Sequence, residues 1–263
     1  MDKVLGLTLE ELTDKKINMH THTPRCQHAS GSEREYVENA IQAGFEVLGF
    51  SDHSPYIFKD DYVSGIRMRM DELEGYVQVI QDLKKEYQKD IIIYCGLEME
   101  YLPGQFEKTI EIIKQYPMDY LIQGQHFRDY ESHETYAGRL TSEERHLESY
   151  VDHVLAGLRT DCFLYVAHPD LVYFTGEEEI WKRHMTRLLL ELKKRNMPIE
   201  MNVNGCRNNI QYPSERLVKL GVEIGNSFVL GVDAHNPWEL LDFDSYEKCK
   251  RMVDKYHGVV IGC

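Results

Sequence analysis

The residues of this chain best suited to chemistry are histidines, aspartates and glutamates at the ends of short apolar runs. Residues 17–19 run into His20 and His22, and residues 47–50 into Asp52 and His53. Residues 91–94 lead to Glu98, 120–122 to His126, 163–166 to His168, and 228–230 to Asp233 and His235. A seventh run, 199–203, carries Asn202 and leads to Asn204. Imidazole and carboxylate side chains hold divalent transition metals. One such ending is an accident, whereas a series implies strands that deliver ligands to one rim.

Residues two apart on a strand face the same side. His20 with His22, and Asp233 with His235, can therefore each point together. Glu98 and Glu100 also share a strand face, and either could be the ligand while the other is a solvated rim residue. Taken singly, His126 and His168 also read as core histidines. Taken together, His20, His22, His53, Glu98, His126, His168, Asp233 and His235 are too many for one ion. Two to three ions are implied, with a shared glutamate as a natural bridge. A set of imidazoles and carboxylates without thiolate suits zinc, manganese or iron. Cys26, Cys95 and Cys206 lie near strand ends but read as packing residues, because the set is supplied without them. His133, His146, His153, His184 and His257 read as structural or surface residues.

The elements that must position these ligands follow from periodicity. Helical patterns cover 32–43, 71–87, 107–115, 142–158, 177–195, 213–220 and 237–256. The first carries a capping box, Ser32 with Glu35, and stops at Gly44. Continuous apolar strands, each followed by a helix, indicate an α/β fold with a parallel sheet covered by helices. About seven repeats favour a closed barrel, in which functional residues sit at the C-terminal strand ends. Residues 259–261 read equally as an extra strand or a packing tail.

The 263 residues with 42% apolar content are ample for one sizeable core, and no linker divides them. The formal net charge of -14 argues against a nucleic-acid-binding face. It leaves an anionic small substrate open, because metal ions invert the local field. No N-terminal apolar segment and no run near about 20 apolar residues suggest a cytoplasmic protein without membrane contact. The six cysteines are scattered and read as reduced thiols. Oligomeric state is not legible.

The stretches His20-Thr21-His22-Thr23-Pro24-Arg25-Cys26-Gln27-His28-Ala29 and Phe50-Ser51-Asp52-His53-Ser54-Pro55 resemble the opening motifs of the PHP (polymerase and histidinol phosphatase) superfamily. The first is similar to its histidinol-phosphate phosphatase branch. Gly96-Leu97-Glu98, Gln125-His126, Ala167-His168-Pro169-Asp170 and Gly231-Val232-Asp233-Ala234-His235 resemble the later motifs, so the likeness runs from about residue 17 to residue 240. The resemblance implies one distorted, TIM-like seven-stranded barrel spanning 1–263 with a trinuclear site. By that likeness His20, His22, Glu98 and Asp233 hold one ion, and Glu98, His126 and His168 a second. His28, His53 and His235 hold a third, and only the likeness promotes His28 from an ordinary loop histidine. Gln125 and the Ala167-His168-Pro169 stretch depart from the commoner family residues without removing a ligand.

The resemblance further implies hydrolysis of a phosphomonoester, with L-histidinol phosphate favoured as substrate in histidine biosynthesis. Glu98, Asp233 and His168 are then the catalytic residues. The ions acidify water and neutralise phosphate charge. Arg207, which follows the Asn202 strand end, and Arg69 are candidates for binding phosphate through a planar fork. Asn202 is a candidate to orient substrate or buttress a ligand. Rival readings are another PHP phosphoesterase acting on a nucleotide, a sugar phosphate or a nucleic-acid 3′ end, and a degenerate barrel used as an interaction module. A metal-storage module is weaker still.

Overall fold

A computed structural model describes residues 7–58, 62–128, 130–133 and 135–263; the first residues, on which the leader expectation partly rested, lie outside it. Strands β1 (Ile17–Asn18), β2 (Val47–His53), β3 (Ile92–Met99) and β4 (Tyr120–Gln123) form one parallel sheet in that order. Strands β5 (Ile199–Asn202), β6 (Ser227–Gly231) and β7 (Val259–Ile261) form a second parallel sheet.

Parallel bridges join the two sheets on both sides. Val166 bridges to Gln123 and to Ile199, and Thr21 bridges to Ala234. At the Thr21 side Asp233 N donates to His20 O, and His22 N donates to Ala234 O, each at 2.9 Å. Below this, Ile17 N donates to Gly262 O at 2.9 Å, so the C-terminal residues wedge beside β1.

The strand–helix alternation is present. The helices are α1 (Glu33–Gln42), α2 (Leu73–Glu86), α3 (Phe106–Ile113), α4 (Glu144–Leu158), α5 (Glu178–Lys194), α6 (Val203–Asn208), α7 (Glu215–Ile224) and α8 (Phe243–Asp254). The capping box of α1 forms as its sequence predicts, with Ser32 and Glu35 each accepting from the other's backbone N–H.

Four details differ from the sequence expectation. Residues 163–168 make single bridges rather than a ladder, because His168 turns into a left-handed backbone conformation with φ 30°. The seventh strand is instead Val259–Ile261, paired with β6. The helix expected over 237–256 is broken at Asp242, which caps α8 by accepting from Ser245 N and follows a 3-10 turn over Pro237–Leu241. Helix α6 starts directly at the end of β5, where the Asn202 side chain caps it by accepting from Gly205 N at 2.9 Å. No helix among the described residues is long and apolar enough to cross a membrane.

Alternation along the strands divides each into a helix-facing and an inward-facing set. Leu48, Phe50, Ile93, Cys95, Leu97, Leu121, Met201, Phe228 and Leu230 pack toward the helices in the large outer core. A smaller inner cluster contains Ile17, Met19, Val47, Tyr120, Ile122, Tyr165 and Val229, closed below by Leu9 and Leu12. Further along the same inward faces the residues become polar: Glu98 on β3, and Glu200 and Asn202 on β5, all buried. Each inward face thus changes from apolar filling to ligand-type side chains toward its C-terminal end.

Tyr120 fixes that boundary. Its hydroxyl donates to Met19 O at 2.9 Å and Phe50 O at 3.0 Å, tying β4 to β1 and β2 from inside. Gly49 and Gly96 leave it room, since a Cβ on either would overlap its ring or hydroxyl. We expect Gly96→Ala to destabilise the protein by about 1–3 kcal/mol through overpacking. Chemical denaturation of Gly96→Ala, Tyr120→Leu and the double variant checks this: the double variant should lose less than the sum of the singles. Simple additivity would rule out the packing account.

Candidate metal centre

Glu98, at the C-terminal end of β3, is the residue around which the others converge. Its side chain is 1% exposed. Neither carboxylate oxygen makes a hydrogen bond of good geometry, close as the imidazole nitrogens are. Five imidazole nitrogens surround it instead. Oε2 lies 3.6 Å from His20 Nε2, 3.6 Å from His22 Nε2 and 3.0 Å from His53 Nδ1. Oε1 lies 3.6 Å from His126 Nε2 and 2.9 Å from His168 Nε2. A buried carboxylate without hydrogen bonds is costly unless positive charge sits beside it. Gly124 makes the arrangement possible, because a Cβ there would overlap Glu98 Oε1.

Asp233 completes a first group. Its Oδ1 lies 3.5 Å from His20 Nε2 and 3.1 Å from His22 Nε2, while those two nitrogens are 3.2 Å apart. Tetrahedral ligands with bonds of about 2.0–2.2 Å are separated by about 3.3–3.6 Å. The His20, His22, Glu98 and Asp233 atoms therefore suit one small divalent ion. Glu98 Oε1 with His126 and His168 offers a second group on its other side. A third group lies toward the pocket mouth, where His28 Nε2 and His235 Nε2 are 3.0 Å apart and the His53 ring is 5.3 Å from that of His28. All nine sequence candidates for metal binding meet in this region, and the donors fit divalent ions.

A ring of carboxylates stands behind the histidines. Glu200 Oε1 contacts His20 Nδ1 at 2.7 Å, and Glu200 Oε2 accepts from His168 N at 2.7 Å. Asp52 Oδ1 lies 3.5 Å from His22 Nδ1, with its other oxygen bonded to Thr23 Oγ1. Glu100 Oε1 lies 3.5 Å from His126 Nδ1. Such partners fix the tautomer and aim the far nitrogen at an ion. Neither Glu98 nor Glu100 is a solvated rim residue, contrary to expectation: Glu100 is fully buried, ion-paired with Arg67 and accepting from Phe127 N at 3.0 Å. Glu200 escaped the sequence reading, although a carboxylate two residues before Asn202 in a buried strand was a usable signal.

The protonation pattern follows from this packing. Burial pushes His20 down, but Glu200, Asp233 and Glu98 outweigh it and carry the imidazole up to about 10. Burial also opposes His22, yet hydrogen bonds to Asp233 and Asp52 hold it well above its ordinary value. His53 is pulled well below by burial, and His235 falls to about 3 through burial and the neighbouring His22 charge. Glu98 and Asp233 are opposed by burial but held well below the carboxylate range by the surrounding histidines. Two carboxylates held low and two imidazoles held high thus converge where an ion would sit.

The substrate candidates divide. Asn202 Nδ2 donates to Asp233 Oδ2 and Glu200 Oε2, each at 3.1 Å, so it buttresses the ligands. Asn204 donates to the same Asp233 oxygen at 3.3 Å. Arg207 donates to Asp242 Oδ2 at 2.8 Å and to the backbone O of the pocket-wall residue Glu239 at 3.1 Å. Arg69 is not brought to the cluster: it is exposed and pairs with Asp71, two residues along its own turn. The pocket over the ligands, about 460 Å³, is walled instead by Tyr136, Tyr212, Leu171, Asn204, Asn208 and Glu239. Its aromatic walls came from loops without strand or helix periodicity. A second cavity of about 460 Å³ lies among Leu9, Tyr120, Phe163 and Met197, away from these groups.

Fold and ligand cluster together define an α/β protein built around divalent-metal-type donors. The PHP domain family model matches residues 18–204. The probable histidinol-phosphatase of Deinococcus radiodurans is 30% identical over 227 residues, covering 84% of this chain and 86% of that protein. That of Schizosaccharomyces pombe is 27% identical, covering 91% and 86%. The histidinol phosphate phosphatase of Lactococcus lactis, solved with zinc, L-histidinol and phosphate, shares the fold with a TM-score of 0.72 at 21% identity, covering 94% and 95%. The chain belongs to the PHP domain family.

Metal and proton compete for the same lone pairs on His20 and His22, so metal affinity should rise with pH through the neutral range. Calorimetry of zinc binding in buffers of different ionisation enthalpy should reveal proton release; a buffer-independent enthalpy would contradict the pattern. Glu200→Gln should weaken zinc binding about 10–100-fold while leaving the circular dichroism unchanged.

Proposed function

We propose that this chain is a metal-dependent phosphomonoester hydrolase that converts L-histidinol phosphate to L-histidinol and phosphate. The observation that carries the reading is Glu98, a buried carboxylate whose two oxygens lack hydrogen bonds and face separate sets of imidazoles. The named relatives support the substrate. We read the two sheets and their bridges as one distorted seven-stranded barrel, a single domain over residues 1–263, with the ions at the C-terminal strand ends. Two to three zinc, manganese or iron ions are proposed, held as His20, His22, Glu98 and Asp233; Glu98, His126 and His168; and His28, His53 and His235. A cytoplasmic setting fits the free cysteines. The acidic balance fits a small substrate rather than nucleic acid.

When bound, the ions would acidify water near neutral pH and neutralise charge on the phosphate. The chain's own residues position the rest. Glu98 would hold two of the ions, since its two oxygens face separate sets of imidazoles. Asp233 keeps Oδ1 toward the ligands because Asn202 and Asn204 occupy Oδ2. His168, fixed through its backbone N–H by Glu200, brings Nε2 to 2.9 Å from Glu98 Oε1. Burial raises Tyr136 and Tyr212 above their ordinary values, so both keep their protons at neutral pH. Both line the pocket and can donate to phosphate oxygens or the departing alcohol. Arg207 serves the site indirectly in this reading, by holding the Glu239 segment at the pocket wall.

The test is steady-state kinetics on L-histidinol phosphate and on p-nitrophenyl phosphate, with metal content measured on the same sample. We expect kcat/KM to favour L-histidinol phosphate strongly. Equal values would sink the substrate assignment. Glu98→Gln and His126→Ala should each lose at least roughly a hundredfold in kcat/KM, more than loss of an outer partner costs. Retained activity in either would sink the metal mechanism.

A further inference from the structure

The pocket wall carries one polar side chain to which the mechanism above gives no task, that of Asn208 at the end of α6. Asn204 stands four residues before it on the same helix, so the two share one face, and both line the pocket. Asn204 Nδ2 donates to Asp233 Oδ2 at 3.3 Å. Asn208 Nδ2 donates in turn to Asn204 Oδ1 at 2.6 Å and to Asn204 O at 3.1 Å.

These partners fix which end of each amide is nitrogen. A carboxylate and a backbone carbonyl both accept, so the amide atoms bonded to them are the donors. Asp233 therefore draws the Asn204 nitrogen toward itself and leaves the Asn204 oxygen for Asn208. The backbone oxygen of Asn204 sets the Asn208 amide independently. Both hydrogens on Asn208 Nδ2 are spent inside the helix, and its Oδ1 has no partner among the described residues. What Asn208 can give a molecule in the pocket is an acceptor alone.

The rest of the lining makes that acceptor informative. Among the described residues no lysine or arginine lines the pocket. Apart from imidazoles and tyrosine hydroxyls, its polar side chains are Asn204, Asn208 and the carboxylates of Glu98, Asp233 and Glu239. Glu239 is held there by accepting from His235 N at 2.7 Å and Asn236 N at 3.1 Å. Such a lining suits a molecule whose phosphate goes to the ions and whose other end is a cation with hydrogens to donate.

We propose that Asn208 is a specificity-determining residue, whose Oδ1 accepts a hydrogen bond from a protonated amine on the alcohol part of the substrate. The inference rests on the phosphomonoesterase reading above and names how the pocket distinguishes its ester from others. In L-histidinol phosphate the amine sits on the carbon next to the one bearing the ester oxygen, so phosphate and ammonium are close together. Asp233, near the ions, and Asn208 are likewise separated by a single side chain, Asn204. Asn204 is then the positioning residue that aims the Asn208 acceptor.

The test is steady-state kinetics of the zinc-loaded full-length protein on a matched pair of esters: L-histidinol phosphate and 3-(4-imidazolyl)propyl phosphate, which lacks only the amine. Wild type should prefer the amine-bearing ester. Asn208→Ala, and Asn208→Leu, which also keeps a substitute water out, should each cut that preference at least roughly tenfold, the scale of one hydrogen bond to a charged group. The loss should fall on KM for the amine-bearing ester rather than on kcat, and turnover of the other ester reports that the variant is folded. A preference that survives both variants, or an equal loss on both esters, overturns the proposal and leaves the phosphatase reading standing. A wild-type protein that hydrolyses both esters equally well does the same. A wild-type protein inactive on both overturns the phosphatase reading and this inference with it.

Discussion

A carboxylate sealed from water, with no hydrogen bonds, is the constraint on which the arrangement depends. Left alone, Glu98 would be among the most destabilising groups in the chain. It is tolerated because five imidazoles crowd around it, with Glu200 bonded to His20 and the carboxylates of Asp52 and Glu100 3.5 Å from His22 and His126. Removing one partner from such a network exposes the desolvation cost of the others. The cluster is therefore a mutually dependent set rather than nine independent side chains.

The scaffold meets this demand by segregating polarity along each strand. The inward faces begin with aliphatic and aromatic side chains and finish with acids, amides and imidazoles, so charged groups collect at one end. Backbone geometry helps at the transition. His168 and Asp233 both adopt positive φ, at 30° and 53°, which non-glycine residues rarely do. Asp233 follows β6 and His168 follows the Val166 bridges, and their side chains come within reach of His20 and Glu98 respectively.

Much of this was legible from the residue order. Apolar runs ending in His20, Glu98, His126, His168 and Asp233 announce both the parallel sheet and the ligand end, because period-two burial leaves little choice of face. Glu200 and Glu100 were harder, since their partners are more than twenty residues away in the chain and only three-dimensional contact reveals the pairing. The surroundings of the arginines were hidden for a related reason. A guanidinium near a strand end looks free in one dimension, yet Arg207 pairs with Asp242 and Glu239, and Arg69 with Asp71. Arg67, which the same reading passed over, is buried between Glu100 and Glu131. Loop residues such as Tyr136 and Tyr212 carry no periodic signal at all.

The inner cluster around Tyr120 has a consequence for how this molecule can change. It fills the inward faces at the strand ends opposite the histidine and carboxylate cluster, and its hydroxyl bonds are to backbone rather than to any chemically active side chain. Stability can therefore be gained or lost there with the ligand geometry left alone, and the upper walls can be rebuilt for other substrates on an unaltered floor. The fold carries its own partition between a part that evolution can reshape and a part that keeps it folded meanwhile.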